Sequence, residues 1–303
     1  MFGYYILKSI YMKVGGFMNN KLSDLNLKDK RYIIFDLDGT LIDSIGIWNL
    51  TDMTIIKRFS GKDADYDETQ NDRDEFLHNN TSGEIYSEYC KFLIKKHGLS
   101  IKDGRQLSKL RRELYEEIYE NEIEFKPNVV ALLKRLKELG YTLVLATMSS
   151  RKQIDIYAKS PKLIKEGNIK KLFDLITTKE TVELKKPDPE IYNNVIKHFN
   201  TTPDTCLVFE DSYSGVLAAK RAGMDVINVY DKYSDKDRER INEIADYSIM
   251  DYQEVIDLLN KKHKNEMSIL AASTLPRQDR DYDKSKTLVN ASLLFSKSII
   301  NMI

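Results

Sequence analysis

Three apolar runs, each ending abruptly at a polar side chain, constrain the fold of this chain more than any other feature. They are YIIF (32–35) before Asp36, YTLVLA (141–146) before Thr147, and CLVF (206–209) before Glu210 and Asp211. Unbroken apolar runs of this length are typical of strands buried on both faces, as in a parallel sheet. Ligands of such sheets sit beyond the carboxyl ends of the strands, so we expect these polar residues to converge on one crevice.

Amphipathic segments separate the apolar runs. EFKPNVVALLKRLKELG has a proline near its start, leucines and valines at helical spacing, and a terminal glycine; PDPEIYNNVIKHF and SGVLAAKRAGM have similar patterns. A further short strand is predicted at VINVY, which ends near Tyr230. Strands that alternate with helices of this length predict an α/β fold with a parallel sheet and right-handed crossovers.

The alternation stops between residues 48 and 122, where the pattern is helical throughout. The apolar stripes are Ile85, Tyr89 and Phe92, then Leu107, Leu110, Leu114 and Ile118. An insertion at this point would lie over the crevice as a cap, and closure over a ligand would explain its presence. The alternative is a helical subdomain that only adds stability, since such stripes report burial and not motion.

The predicted domains are an N-terminal extension (1–30), a core (31–47 and 123–262), a helical cap (48–122) and a C-terminal tail (263–303). We expect residues 1–17 to be an upstream extension, because Lys8 and Lys13 interrupt the apolar bias and the segment is too short and wrongly flanked for a membrane span or signal peptide. The tail has a polar middle and an apolar end. A helix folded back on the body is expected there, with a membrane or partner contact as the alternative.

Composition excludes several functional classes. Lysine plus arginine and aspartate plus glutamate each total 47, so the formal charge is zero and we expect neither nucleic acid nor membrane as a partner. Cys90 and Cys206 lie far apart and lack metal-site spacing. Two such cysteines predict a protein of the reducing cytoplasm that has no disulfide framework. The oligomeric state is left open.

Asp36 and Asp38, in the segment DLDG, allow two other interpretations. A calcium loop is excluded, because its sixth and twelfth positions would be Leu41 and Ile47 where glycine and glutamate are required. A β-hairpin stays open, because Asp-Gly between apolar segments favours a tight turn.

The strand-terminal acids together favour a metal site. Asp36 and Asp38 are two residues apart, so they begin on the same side of the chain and repel each other unless a cation lies nearby. Glu210 and Asp211 arrive from another strand and complete a set of hard oxygen ligands. Magnesium accepts such ligands, and the sequence therefore predicts a magnesium site.

A phosphate ester would explain two further polar residues. Carboxylate attack on phosphorus requires a fixed cation to offset the developing charge, and Lys186, before Pro187, is the candidate. Thr147 and the backbone amides beside it could donate hydrogen bonds to phosphoryl oxygens.

The segments DLDGTLIDS, LATMSS, LKKPDPEIY and VFEDSYSGVLAAKRAG occur in an order that resembles the haloacid dehalogenase superfamily. The similarity is to the branch with a helical cap, which holds sugar-phosphate phosphatases, phosphoglycolate phosphatase and β-phosphoglucomutase. It extends from about residue 31 to residue 259. The resemblance implies a Rossmann-like core with an inserted α-helical cap, and magnesium-dependent phosphoryl transfer.

The resemblance also implies roles for the two acids of DLDG. Asp36 would be the nucleophile that forms an aspartyl-phosphate. Asp38 would protonate the leaving oxygen and then activate water, and its backbone carbonyl would join the metal ligands. True dehalogenases lack this second acid, so Asp38 favours phosphate over halide chemistry.

The resemblance also implies roles for residues in LATMSS, LKKPDPEIY and VFEDSYSGVLAAKRAG. Thr147 would hold the phosphoryl group, and Lys186 would offset charge on nucleophile and phosphate. Asp211, with Glu210, would bind magnesium directly or through water.

These expectations predict a magnesium-dependent phosphatase that hydrolyses a small phosphorylated metabolite. A sugar-phosphate mutase is the alternative, because an aspartyl-phosphate can be passed to a sugar instead of water. A binding module without catalysis is a third hypothesis, and the intact acids and Lys186 argue against it.

Overall fold

A six-stranded parallel sheet forms the centre of the part of the chain that the computed structural model describes, residues 20–80 and 83–274. Its strands, in the spatial order β3-β2-β1-β4-β5-β6, are β1 (Tyr32–Phe35), β2 (Thr142–Ala146), β3 (Leu175–Thr177), β4 (Cys206–Glu210), β5 (Asp225–Val229) and β6 (Tyr247–Ile249). The α/β class is confirmed. The sequence does not predict β3 and β6, because each is three residues long and lies at an edge of the sheet.

The register of β2, β1 and β4 places the ends of these three strands at one level. Phe35 of β1 pairs with Leu145 of β2 on one side and with Phe209 of β4 on the other. The Asp36 amide extends the ladder by donating to the Phe209 carbonyl at 3.0 Å. The residues that follow these strands therefore leave the sheet side by side.

Helices cover the sheet. Helices α1 to α4 belong to the insertion and are described below. The helices beside the sheet are α5 (Val129–Glu138), α6 (Arg151–Tyr157), α7 (Pro161–Glu166), α8 (Ile169–Leu172), α9 (Glu190–Phe199), α10 (Tyr213–Arg221) and α11 (Arg238–Ile244). On α9 the residues Ile191, Tyr192 and Val195 are buried in the same core as Val144 and Val208 of the strands. This burial accounts for the apolar spacing in the sequence.

The described residues of the insertion form four helices. They are α1 (Ile45–Ser60), α2 (Tyr66–Asn79), α3 (Ile85–His97) and α4 (Gly104–Glu122). Asp65 and Asp103 cap α2 and α4, since their side chains accept from backbone amides three residues later. A core of its own, including Ile55, Tyr89 and Leu107, holds the four helices together. The limits 48–122 and a role in closure stay predictions.

Contacts between Cα atoms divide the chain into two compact units, one ending at Asp251 and the other beginning at Tyr252. The described part of the second unit is one helix, α12 (Gln253–Thr274), and the predicted border at residue 262 falls inside it. The predictions for residues 1–17 and for the apolar end of the tail lie outside the described residues. No helix in the described ranges combines the length and apolarity needed to cross a bilayer.

Candidate active site

The loop after β1 carries the first two acids of the site. Gly39, at φ +84°, reverses the chain, and Leu41 and Ile42 donate back to the Leu37 carbonyl at 2.8 and 3.1 Å. The chain then enters α1 and forms no second strand, so the structure excludes the hairpin. A Cβ on Gly39 would collide with the Asp211 carboxylate, which shows how tightly this turn packs against the neighbouring strand end.

Three acids meet at the ends of β1 and β4. Carboxylate oxygens of Asp36, Glu210 and Asp211 all lie within 4.8 Å of one another, and the three residues are 7, 1 and 3% exposed. Burial, followed by the neighbouring acids, raises the pKa of Asp211 to about 8. Burial also raises the pKa of Asp36 well above its usual range, although Lys186 opposes it. Bringing three carboxylates together is unfavourable without positive charge.

Lys186 supplies one positive charge. Its Nζ donates to Asp36 Oδ1 at 2.6 Å and to Glu210 Oε1 at 2.5 Å, and its side chain is 5% exposed. Burial lowers the pKa of Lys186, but Asp36 and Glu210 outweigh this effect and hold the pKa well above its ordinary value. Lys186 is therefore a fixed cation bonded to the predicted nucleophile.

Glu210 is fully occupied by hydrogen-bond donors. Its Oε1 also accepts from the Tyr192 hydroxyl at 3.1 Å, and its Oε2 accepts from the Asp211 amide and from the amide and hydroxyl of Ser212 at 3.0 to 3.2 Å. A carboxylate with so many donors is oriented to hold Lys186. Asp36 and Asp211 have more capacity left for a metal ion.

Gly215, near the start of α10, leaves the space that Glu210 occupies, since a Cβ there would overlap the Glu210 carboxylate. We expect Gly215→Ala to displace Glu210 and with it Lys186, at a cost of about 1–3 kcal/mol in the free energy of unfolding. Urea unfolding and phosphatase assays measure the two effects. Gly83→Ala is the control, because a Cβ at Gly83 meets nothing within 4 Å. Wild-type stability and activity in Gly215→Ala would contradict the role given to Glu210.

Asp38 lies apart from the acid cluster and has different partners. Its Oδ2 accepts from Ser149 Oγ at 2.6 Å, and its Oδ1 accepts from the Tyr157 hydroxyl at 3.5 Å. The Ser149 amide in turn donates to Thr147 Oγ1 at 2.9 Å. The Thr147 hydroxyl is fully buried, and its hydrogen can still be donated. Ser149 thus joins the predicted acid–base to the predicted phosphoryl-binding residue.

We expect Ser149→Ala to slow the hydrolysis of esters with poor leaving groups by roughly tenfold or more, because Asp38 loses its shortest bond and its alignment as a proton donor. p-Nitrophenyl phosphate should be affected much less, since p-nitrophenolate leaves without protonation. The measurement compares kcat for p-nitrophenyl phosphate and an alkyl phosphate in both proteins. An equal loss on the two esters would contradict a role for Ser149 in holding Asp38.

All six sequence-predicted residues lie at this edge of the sheet, and several of their partners are not predicted. Ser149 and Tyr192 lie inside LATMSS and PDPEIY, segments that the sequence analysis assigns to the site, but it does not predict their contacts with Asp38 and Glu210. Tyr157 carries no local pattern. Lys126 carries none either, although its Nζ donates to the Gly39 carbonyl and to Asp231 Oδ2. These partners come from parts of the chain that are distant in sequence, so no local pattern predicts their contacts.

Comparisons with known proteins give relatives that are named as phosphatases. A phosphorylated-carbohydrate phosphatase of Thermotoga maritima is 29% identical over 198 residues, which are 64% of this chain and 82% of that protein. A protein described as a candidate phosphatase in Bacillus subtilis is 38% identical over 127 residues, but the match spans only 54% of its length and 42% of this chain.

A solved structure and a family model also match this chain. The structure of a candidate β-phosphoglucomutase from Thermotoga maritima superposes with a TM-score of 0.61 at 26% identity, and the match covers 76% of this chain and 99% of that one. The family model for haloacid dehalogenase-like hydrolases matches residues 33–229. The resemblance seen in the four sequence segments is confirmed: this chain belongs to the haloacid dehalogenase-like hydrolases.

Proposed function

We propose that this protein is a magnesium-dependent phosphatase that hydrolyses a small phosphate monoester through a phosphorylated Asp36. One observation carries the proposal: Asp36 is at once a member of the acid cluster and the acceptor of a 2.6 Å bond from buried Lys186. A carboxylate in this setting can approach a phosphoryl group without prohibitive repulsion. The similarity to a phosphorylated-carbohydrate phosphatase supports the same reaction class.

The residues present fit a magnesium ion. Lys186 balances only one of the three clustered carboxylates, and burial raises the pKa of Asp211 to about 8, so the site lacks positive charge. Asp36, Asp211 and the Asp38 carbonyl would hold the ion, with Glu210 acting through Lys186. When bound, magnesium would neutralise charge on the nucleophile and the phosphoryl oxygens.

The side chains of the site carry out the two phosphoryl-transfer steps. A carboxylate oxygen of Asp36 bonds to phosphorus as the ester P–O bond breaks, and Asp38 gives its proton to the leaving alkoxide. Asp38 then takes a proton from water, the water oxygen bonds to phosphorus, and the bond to Asp36 breaks to release inorganic phosphate. Thr147 donates to a phosphoryl oxygen throughout, and Lys186 offsets charge on Asp36.

A mutase is the second candidate, and the fold similarity to a candidate β-phosphoglucomutase favours it. In that reaction the phosphorylated Asp36 transfers its phosphoryl group to a sugar hydroxyl. Isomerisation that accelerates with added sugar bisphosphate, without phosphate release, would identify the mutase. A reducing cytoplasmic location, suggested by two buried free cysteines, is part of the proposal for either activity.

Purified protein assayed with p-nitrophenyl phosphate tests the function. We expect turnover with magnesium and its loss in EDTA. Magnesium should also raise the unfolding temperature, because a ligand at 100 times its Kd stabilises the folded state by about 2.7 kcal/mol. Equal turnover with magnesium and with EDTA would overturn the metal dependence. Absence of phosphate release from a panel of sugar and acid phosphates would overturn the phosphatase.

A further inference from the structure

A lysine in the segment that returns from the insertion lies beside the acid cluster. Lys126 is between α4 and α5, and its amide donates to the Leu41 carbonyl at 2.8 Å. Its Nζ donates to the Gly39 carbonyl, to Asp231 Oδ2 at 2.6 Å and to the Tyr230 carbonyl at 3.4 Å. One ammonium group therefore joins the loop after β1 to the loop after β5.

Asp231 keeps this ammonium group in place. The side chains of Asp231 and Lys126 are 4 and 16% exposed, so the ion pair is largely shielded from water. Asp231 Oδ1 accepts from the Tyr233 amide at 2.9 Å, and Arg238 Nη2 donates to the Asp231 backbone carbonyl at 2.6 Å. Among the described residues Lys126 is the cation that pairs with the Asp231 carboxylate, so its removal would leave a buried acid unpaired.

The loop that Lys126 restrains carries one proposed metal ligand and packs against another. The Asp38 carbonyl precedes the Gly39 carbonyl by one peptide, and a glycine at φ +84° leaves the backbone between them unusually free. Gly39 also packs closely on Asp211, whose Oδ1 accepts from Thr40 Oγ1 at 2.8 Å. The bond from Lys126 therefore restrains a turn that sets the spacing between Asp38 and Asp211.

The charges of the pair reach the acid cluster as well. Burial, then Glu210 and Asp231, raises the pKa of Asp211 to about 8. Lys126 opposes this rise. Because Lys126 and Asp231 together are neutral, the pair adds little net charge to a site that must attract a divalent cation. The pair can thus hold the loop without competing with the metal.

We propose that Lys126 is a positioning residue for the magnesium site, which fixes the Gly39 carbonyl and thereby the spacing of the Asp38 carbonyl and the Asp211 carboxylate. This inference rests on the proposed magnesium-dependent function. The ammonium group bonds to Gly39 and to the loop after β5, so Lys126 acts through the backbone and not as a ligand. Charge-assisted hydrogen bonds from a largely buried cation are strong enough for this role.

Calorimetric titration of the metal-free protein with magnesium chloride tests the role. We expect Lys126→Met to raise the magnesium Kd by roughly 10- to 100-fold, the usual effect of removing a group that orients a metal ligand. The magnesium concentration for half-maximal turnover of p-nitrophenyl phosphate should rise by a similar factor. The backbone bond to Leu41 does not involve the side chain, so the variant removes only the Nζ contacts. Lys134→Met, at an exposed position on α5, should keep the wild-type Kd.

A double variant separates positioning from charge. Lys126→Met alone leaves Asp231 without its cation, whereas Lys126→Met combined with Asp231→Asn leaves no unpaired charge. If Lys126 acted by its charge alone, the single variant would bind magnesium more tightly than wild type, and the double variant would bind it as wild type does. Positioning predicts weaker binding in both. The double variant also protects the test against misfolding caused by an unpaired buried acid.

Circular dichroism of each variant shows whether a changed Kd belongs to folded protein. A wild-type Kd in the double variant, or tighter binding by Lys126→Met, would overturn the positioning role and leave the phosphatase intact. Absence of magnesium binding by the wild-type protein would instead overturn the inference together with the metal-dependent function.

Discussion

Asp36→Asn is expected to lower kcat by a factor on the order of 10⁴ or more, because an amide oxygen cannot act as the nucleophile that accepts the phosphoryl group. The change is nearly isosteric, and the ladder bond from the Asp36 amide to Phe209 involves only backbone atoms. We therefore expect a folded, inactive protein. Steady-state assays with magnesium and p-nitrophenyl phosphate, together with circular dichroism, measure the two properties.

The stability of metal-free Asp36→Asn gives an independent check. Burial raises the pKa of Asp36, so its carboxylate costs stability as the pH rises from its unfolded pKa through its folded pKa. The amide has no such charge, and Lys186 keeps Glu210 as a partner. We expect the unfolding temperature at neutral pH to equal or exceed that of wild type. Asp67→Asn, at an exposed position, is the control, and substantial turnover by Asp36→Asn would exclude Asp36 as nucleophile.

Lys186→Met is expected to damage both activity and stability. The substitution leaves Asp36 and Glu210 buried without the cation that bonds to both. Removal of one partner from a buried ion pair costs about 3–5 kcal/mol in the free energy of unfolding. Loss of a fixed charge at the reacting phosphoryl group should lower kcat by roughly 10²- to 10³-fold.

The neighbouring residue offers a matched control for Lys186. Lys185 is exposed, so Lys185→Met makes the same chemical change one position earlier and should leave kcat and stability near wild type. Urea unfolding in metal-free buffer and assays at saturating magnesium compare the two variants. Equal behaviour of Lys185→Met and Lys186→Met would contradict the bridging role of Lys186.

The predicted part of the fold follows from local patterns. The mainly apolar runs identify β1, β2, β4 and β5, because strands buried on both faces carry mostly apolar side chains. The edge strands β3 and β6 lack a recognisable apolar run, since they are short and partly exposed. The insertion is recognisable because helical periodicity replaces the alternation of strands and helices.

The sequence by itself determined which polar residues stand at the strand ends, and parallel pairing then obliges Asp36, Thr147 and Glu210 to meet at one edge of the sheet. Only the tertiary structure decided that Ser149 holds Asp38 and that Asp52 pairs with Arg111, 59 residues away. Strand ends are fixed by a regular backbone ladder, whereas contacts between loops and helix faces depend on how side chains pack. No period in the sequence encodes that packing.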